Sequence, residues 1–96
     1  MTSAYIIANV DVKDPAQYEE YKRLSTVAMK AHGAQVCVRG GPLEVLEGDW
    51  QPDRLVLLKF ESTAQARTFY RSTEYEAARR ARAGVAVMRM VLVEGV

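Results

Sequence analysis

Apolar positions along this chain alternate between runs apolar at every position and stretches with helical spacing. Ala4-Tyr5-Ile6-Ile7-Ala8-Asn9-Val10 is rich in β-branched and aromatic residues and predicts a first strand, with Asn9 the polar exception. A helix start follows: Asp14 as N-cap, Pro15 at the first helical position and Gln17 three residues after the cap. Tyr18, Tyr21, Leu24, Ser25, Ala28 and His32 then recur at i, i+3, i+4, i+7 spacing and share a face, until Gly33 offers a stop. Glu19, Arg23, Thr26 and Lys30 take the other side. Gln35 to Arg39 predicts a second strand. At Gly40-Gly41-Pro42 the chain either turns as a hairpin or bends one long strand, because proline cannot donate to a ladder. Leu43 to Glu47 is expected to resume as strand and, across the turn Gly48 to Asp53, to pair antiparallel with the apolar run Arg54 to Phe60. Ser62-Thr63-Ala64-Gln65 is a second capping box, opening a helix through about Tyr70. Thr73 and Glu76, at capping-box spacing, restart it toward Gly84. Val87 to Val93 closes the chain as a strand, apolar except for Arg89.

The order is β-α-β-β-α-β, an α+β, ferredoxin-like arrangement of one antiparallel sheet with two helices on one face, in a single domain over residues 1–96. Two helices cover one face of a sheet. The first, third and last strands are nevertheless apolar on both parities, as in Ile6 with Ile7 and Met88 and Met90 with Val91 and Val93. A sheet with one wet face alternates instead. The second face therefore needs a cover, and a second copy of the same sheet supplies it, giving a homodimer around a shared interior. Asn9, Arg39, Lys59 and Arg89 would need partners, water or a ligand there.

Composition narrows the function classes. Hydrophobic residues make up 49% and charged residues 26%, with a net charge of +1, so a packed globule is expected, with no electrostatic case for nucleic acid or an anionic membrane. The arginines gathered after residue 66 read as solvated helix faces. No run approaches the ~18 apolar residues of a membrane span, and no secretory signal is visible. Cys37 is the single cysteine, read as a small buried hydrophobe in a reducing cytoplasm. One histidine and one cysteine do not build a metal centre, so neither metal nor cofactor is expected. Phosphate-binding glycine loops, CxxC pairs, HExxH and GxSxG are absent.

What remains is a constellation around Arg39 to Trp50. Arg39 suits a carboxylate or polarised carbonyl, and Trp50, Tyr18, Tyr21, Tyr70 and Tyr75 offer stacking surface and phenolic donors. Asn9, His32, Glu47 and Asp49 offer hydrogen bonds or proton transfer. The candidate ligand-binding set is Asn9, His32, Arg39, Glu47, Trp50, Tyr70 and Tyr75; no catalytic residue is singled out. A purely structural account of the same residues stands beside it: Arg39 paired with Glu47 or Asp49, Trp50 stapling its turn to the rim, and His32 capping its helix.

The stretches Tyr5 to Val12, Asp14-Pro15, Tyr18-Glu19-Glu20-Tyr21, His32-Gly33, Val38-Arg39-Gly40-Gly41, Leu46 to Trp50, Phe69 to Ser72, Glu74-Tyr75 and Leu92 to Val96 together resemble the bacterial family DUF1330. The resemblance implies the dimeric α+β-barrel superfamily, which includes cofactor-free oxygenases, haem-degrading enzymes, isomerases, chlorite dismutases and ligand-binding regulators. It names no reaction. The expectation is a cytoplasmic homodimer binding a small, carboxylated organic molecule, with cofactor-independent proton transfer, isomerisation or oxygenation as its chemistry. A non-enzymatic ligand-binding or assembly module is the alternative. Haem binding would fall to His32, the sole histidine.

Overall fold

Each helix begins where a side chain can accept the free N–H groups of its first turn. Asp14 Oδ1 accepts from Gln17 N at 3.1 Å, and Ser62 Oγ accepts from Gln65 N at 3.1 Å. Ser72, rather than Thr73, makes the second break. Its hydroxyl donates to Phe69 O at 2.7 Å and accepts from Tyr75 N at 3.1 Å, ending one helix and starting the next. In the computed structural model, which describes residues 2–96, the elements are β1 (Ala4–Val12), α1 (Pro15–Ala31), β2 (Gln35–Arg39), β3 (Leu55–Phe60), α2 (Thr63–Arg71), α3 (Thr73–Arg82) and β4 (Ala86–Glu94). The strand order is β2-β3-β1-β4 and every neighbouring pair is antiparallel, the ferredoxin-like topology expected from the element order.

Register sorts the sheet into two faces. Ile6 lies between Leu58 and Leu92, and Ala8 between Val56 and Met90. This parity faces the helices and is buried, with Ile6, Ala8 and Val10 at most 4% exposed. Tyr18, Tyr21, Ser25, Ala28 and Met29 of α1 close over it, joined by Phe69 of α2 and by Tyr75 and Ala78 of α3. Alanines at 28, 66 and 78, all fully buried, let the helices sit close to the strands. On the other parity Ile7 lies between Leu57 and Val91, and Tyr5 between Lys59 and Val93. No element among the described residues covers that face. Val87, Val91 and Val93 stay roughly half exposed, and the molecule is only 16 Å across in its thinnest direction.

Three expectations are corrected. Leu43 to Glu47 is not a strand in this chain. β3 pairs directly with β2, and residues 41–53 form an exposed connection between them. The local pattern suits a strand, but both edges of β3 are already taken, by β1 and β2. Gly40-Gly41-Pro42 accordingly makes neither a tight hairpin nor a bend in a continuing strand. The ladder simply ends, with Gly40 N donating to Leu55 O at 2.8 Å. Cys37 is exposed rather than buried, because β2 is an edge strand with an irregularity between Val36 and Val38. No helix among the described residues is long and apolar enough to cross a membrane.

Phe69 sits at the centre of the helix-side core, 0% exposed, with ring centroids 5.2 Å from Phe60 and 4.7 Å from Tyr75. Phe69→Ala is expected to lower unfolding free energy by about 3–5 kcal/mol, measured as a reduced urea midpoint with unchanged secondary structure in buffer.

Candidate functional site

Tyr21 on α1 and Tyr75 on α3 both lie on buried helix faces, 6% and 1% exposed. A phenol in that position needs a partner for its hydroxyl. Each supplies the other: the two Oη atoms are 2.7 Å apart. One bridging proton satisfies both oxygens and leaves one O–H over. Its only protein acceptor nearby is the Met88 sulfur, 3.8 Å from Tyr21 Oη and 4.0 Å from Tyr75 Oη. A thioether is a weak acceptor. A strong donor is therefore held ready inside the protein.

The hydroxyls face a cavity of about 20 Å³ between α1, α3 and the sheet, room for about one water. Met29, Met88 and Met90 line it with Ala8, Val56 and Leu58, and Ser25 and Arg39 bring the polar groups opposite the phenols. Methionine side chains are unbranched and repack readily, which makes this wall the adaptable part of the chamber. Burial raises both phenols above their ordinary pKa, Tyr21 far above it, with the neighbouring hydroxyl adding to the Tyr21 shift. Arg82, whose guanidinium carbon lies 5.8 Å from the Tyr21 ring centroid, opposes the rise in both. At neutral pH the pair is protonated and acts as donor, not base.

Arg39 reaches this chamber because of the irregularity in β2. Val36 opposes Leu58, Val38 opposes Leu57, and Arg39 opposes Val56, a helix-side position. Regular pairing onward from Val36 would have placed Arg39 opposite Leu55, on the open face. Its Nη2 donates to Thr26 Oγ1 at 2.9 Å, to Lys22 O at 3.2 Å and to Ser25 Oγ at 3.4 Å. It pairs with neither Glu47 nor Asp49, and it does not enter a shared interior on the open face.

The remaining candidates are dispersed. Asn9 is on the open face, where Nδ2 donates to Asp53 Oδ2 at 3.1 Å and Oδ1 accepts from Asp53 N at 2.9 Å, pinning the connection to β1. Trp50, 61% exposed, lies nearby against Val87 and Arg89. Arg39 and Trp50, close in sequence, thus belong to opposite faces of the sheet. Glu47 is exposed and forms no ion pair among the described residues. His32 caps α1, its N–H donating to Ala28 O, and its Nε2 lies 3.0 Å from Glu74 Oε1. That hydrogen bond is the main cause holding the Glu74 carboxyl below its ordinary pKa. Tyr70 stacks beside Tyr75 at 5.6 Å and under Arg79 at 4.7 Å, on the wall of a groove of about 280 Å³ between α2 and β4. Only Tyr75 and Arg39 of the candidate set line the chamber.

Ser25 and Met88 line the chamber without having been singled out from the sequence, and Tyr21, named there among the phenolic donors, was left out of the candidate set. Its place on the buried face of α1 was legible; its meeting with Tyr75 was not. No sequence feature marked Ser25 or Met88.

Residues 3–96 match the family described as Domain of unknown function (DUF1330). The chain belongs to DUF1330. No curated protein matches it at a significant level. Among solved structures, this DUF1330 chain is similar to a protein of unknown function from Rhodopseudomonas palustris, with 20% identity, TM-score 0.74, and coverage of 99% of this chain and 83% of the other. It is also similar to SnoaB, a cofactor-independent oxygenase from Streptomyces nogalater, with 12% identity, TM-score 0.66, and coverage of 96% and 91%. A third neighbour is a dimeric ferredoxin-like protein of unknown function from Thermobifida fusca, with 14% identity, TM-score 0.56, and coverage of 99% and 92%. At these identities the likeness establishes the fold of the DUF1330 chain and nothing finer.

The raised phenols carry a pH signature. In the unfolded chain Tyr21 and Tyr75 ionise near pH ~10, whereas the folded chain keeps them protonated to higher pH. Their effect on stability is nil below that value, and stability falls as pH climbs above it. The double variant Tyr21→Phe/Tyr75→Phe is expected to show a shallower alkaline loss in urea midpoint than wild type. The wild-type absorbance at 295 nm should show these two phenols ionising only on unfolding.

Proposed function

We propose that this DUF1330 protein is a cytoplasmic homodimer that binds a small, carboxylated organic molecule between its helices and sheet and acts on it by cofactor-independent proton transfer. The observation that carries this reading is the spare O–H of the Tyr21–Tyr75 pair, buried and facing nothing stronger than a thioether. A buried hydroxyl that stays protonated stabilises negative charge developing on a substrate carbonyl oxygen as an α-proton leaves. Isomerisation, or reaction of the resulting carbanion with oxygen, are outcomes such a site permits. Similarity to a cofactor-independent oxygenase agrees with this class of chemistry. The exposed apolar face of the sheet supports the dimer, as does the description of a similar solved structure as dimeric.

A second reading, a binding or assembly module without turnover, is favoured by one observation. Glu47, Asn9 and Trp50 lie away from the chamber, on the connection and the open face, where they would meet a partner copy rather than a substrate.

Both parts are testable. Enolisable keto acids incubated with the protein in deuterium oxide should exchange their α-protons, followed by NMR, and the double variant Tyr21→Phe/Tyr75→Phe, which removes both hydroxyls, should slow the exchange about 10²–10³-fold. Binding without exchange would favour the second reading. Val91→Glu, placing charge at the middle of the open face, is expected to convert a dimer to monomer in analytical ultracentrifugation at micromolar concentration. A wild-type monomer would remove the dimer from the proposal.

A further inference from the structure

Two arginines, Arg39 and Arg54, line one surface cleft on the α1 side of the sheet, and neither has an ion-pair partner among the described residues. Arg54, just before β3, lays its head across Gly40: a Cβ built on Gly40 would fall 2.0 Å from Arg54 Nη1 and 2.3 Å from its Cζ. Only glycine leaves that space, and Gly40 also holds φ at +72°. The head lies 5.9 Å from the centroid of Tyr18, a buried ring of the core. Arg39, adjacent to Gly40 in sequence, lines the same surface cleft as Arg54 and also lines the inner chamber. Neither arginine forms an ion pair among the described residues, and the one acid lining the cleft, Glu19, is bound to Lys22 at 3.0 Å. Arg54 Nε is shielded from solvent and has no hydrogen-bond partner.

Two guanidinium charges lining one cleft without a counter-ion leave it electropositive. A bound anion would neutralise that charge. We propose that Arg54 and Arg39, positioned by Gly40 and Tyr18 at the mouth of the chamber, form the seat for the carboxylate of a small organic acid whose apolar body points inward toward the methionines. Two planar forks side by side suit a carboxylate, whose oxygens accept in pairs. Arg39 is already fixed by α1 through its Nη2, so it contributes direction without further ordering. This assignment deepens the reading of the chamber given above and names the end of the ligand that stays at the surface.

The test uses benzoate as probe, with benzamide as its uncharged counterpart and inorganic phosphate as competitor. It is read by the ¹⁵N–¹H signal of arginine Nε and by titration calorimetry. Benzoate is expected to shift the Arg54 Nε–H resonance saturably, to bind more tightly than benzamide and to weaken with added salt. Arg54→Gln should reduce its affinity about 10- to 100-fold, as expected for losing a charge-assisted pair, and Arg54→Lys should restore only part. Gly40→Ala, which displaces the guanidinium, should mimic Arg54→Gln. Tyr75→Phe should leave the Arg54 signal responsive to benzoate, which separates the seat from the chemistry of the chamber. Loss of benzoate binding in Tyr75→Phe with retention in Arg54→Gln would overturn the seat and leave the chamber standing. Equal affinity for benzoate and benzamide, or no saturable shift at millimolar benzoate, would also overturn it. So would phosphate displacing benzoate at equal concentration, because the site would then be a general anion patch.

Discussion

The hydroxyl contact between Tyr21 and Tyr75 ties α1 to α3 over the sheet and sets the polar wall of the chamber. A leucine pair at these positions would close the gap with apolar volume and leave no interior polar group. Two phenols instead meet at their hydroxyls, beside a small chamber floored by Ala8 and Val56 of the sheet. The pair is self-sufficient for one hydrogen bond and not for two. Burial, which keeps both phenols protonated, turns that remainder into a donor.

The edge strand decides what else reaches this donor. In β2 the irregular pairing between Val36 and Val38 changes which residues face the helices, and Arg39 moves from the open side of the sheet to the helix side. From there α1 fixes it through the Lys22 carbonyl and the Ser25 and Thr26 hydroxyls. Arg54 then approaches across Gly40. One extra residue in an edge strand thus brings Arg39 to the phenolic chamber, while Trp50 remains with Asn9 and Arg89 on the far side.

The open face follows a separate logic. Its valines and Ile7 are as apolar as a core layer, yet the chain has no third layer to place over them. The connection from residues 41 to 53 runs at the margin of this face, held through Asn9 and Asp53, and carries Leu43, Val45 and Leu46 in the open. The chamber on the helix side and the exposed apolar residues on the open side use opposite parities of the same strands. Changes on one side can therefore be made without rebuilding the other.

Much of this was legible from residue order. Asp14, Ser62 and the β-rich runs around Ile6, Leu57 and Val91 mark elements through local capping and propensity, which act within a few residues of chain. The double apolar parity announced an uncovered face. Local pattern misled at Leu43 to Glu47, because whether a strand-like segment finds an edge depends on how many edges the sheet has left. It misled at Cys37 and Arg39, because one irregular pair reverses the side on which following residues lie, and nothing in Val36-Cys37-Val38 records that reversal. By itself the sequence determined the helices, the four strands that form, their order and the existence of two apolar sheet faces, all set by short-range periodicity, while the strand-like run Leu43 to Glu47 stayed outside the sheet. Only the tertiary structure decided that Arg39 joins Tyr21, Ser25 and Tyr75 while Trp50 does not, since that choice rests on strand register and on contacts between residues far apart in the chain.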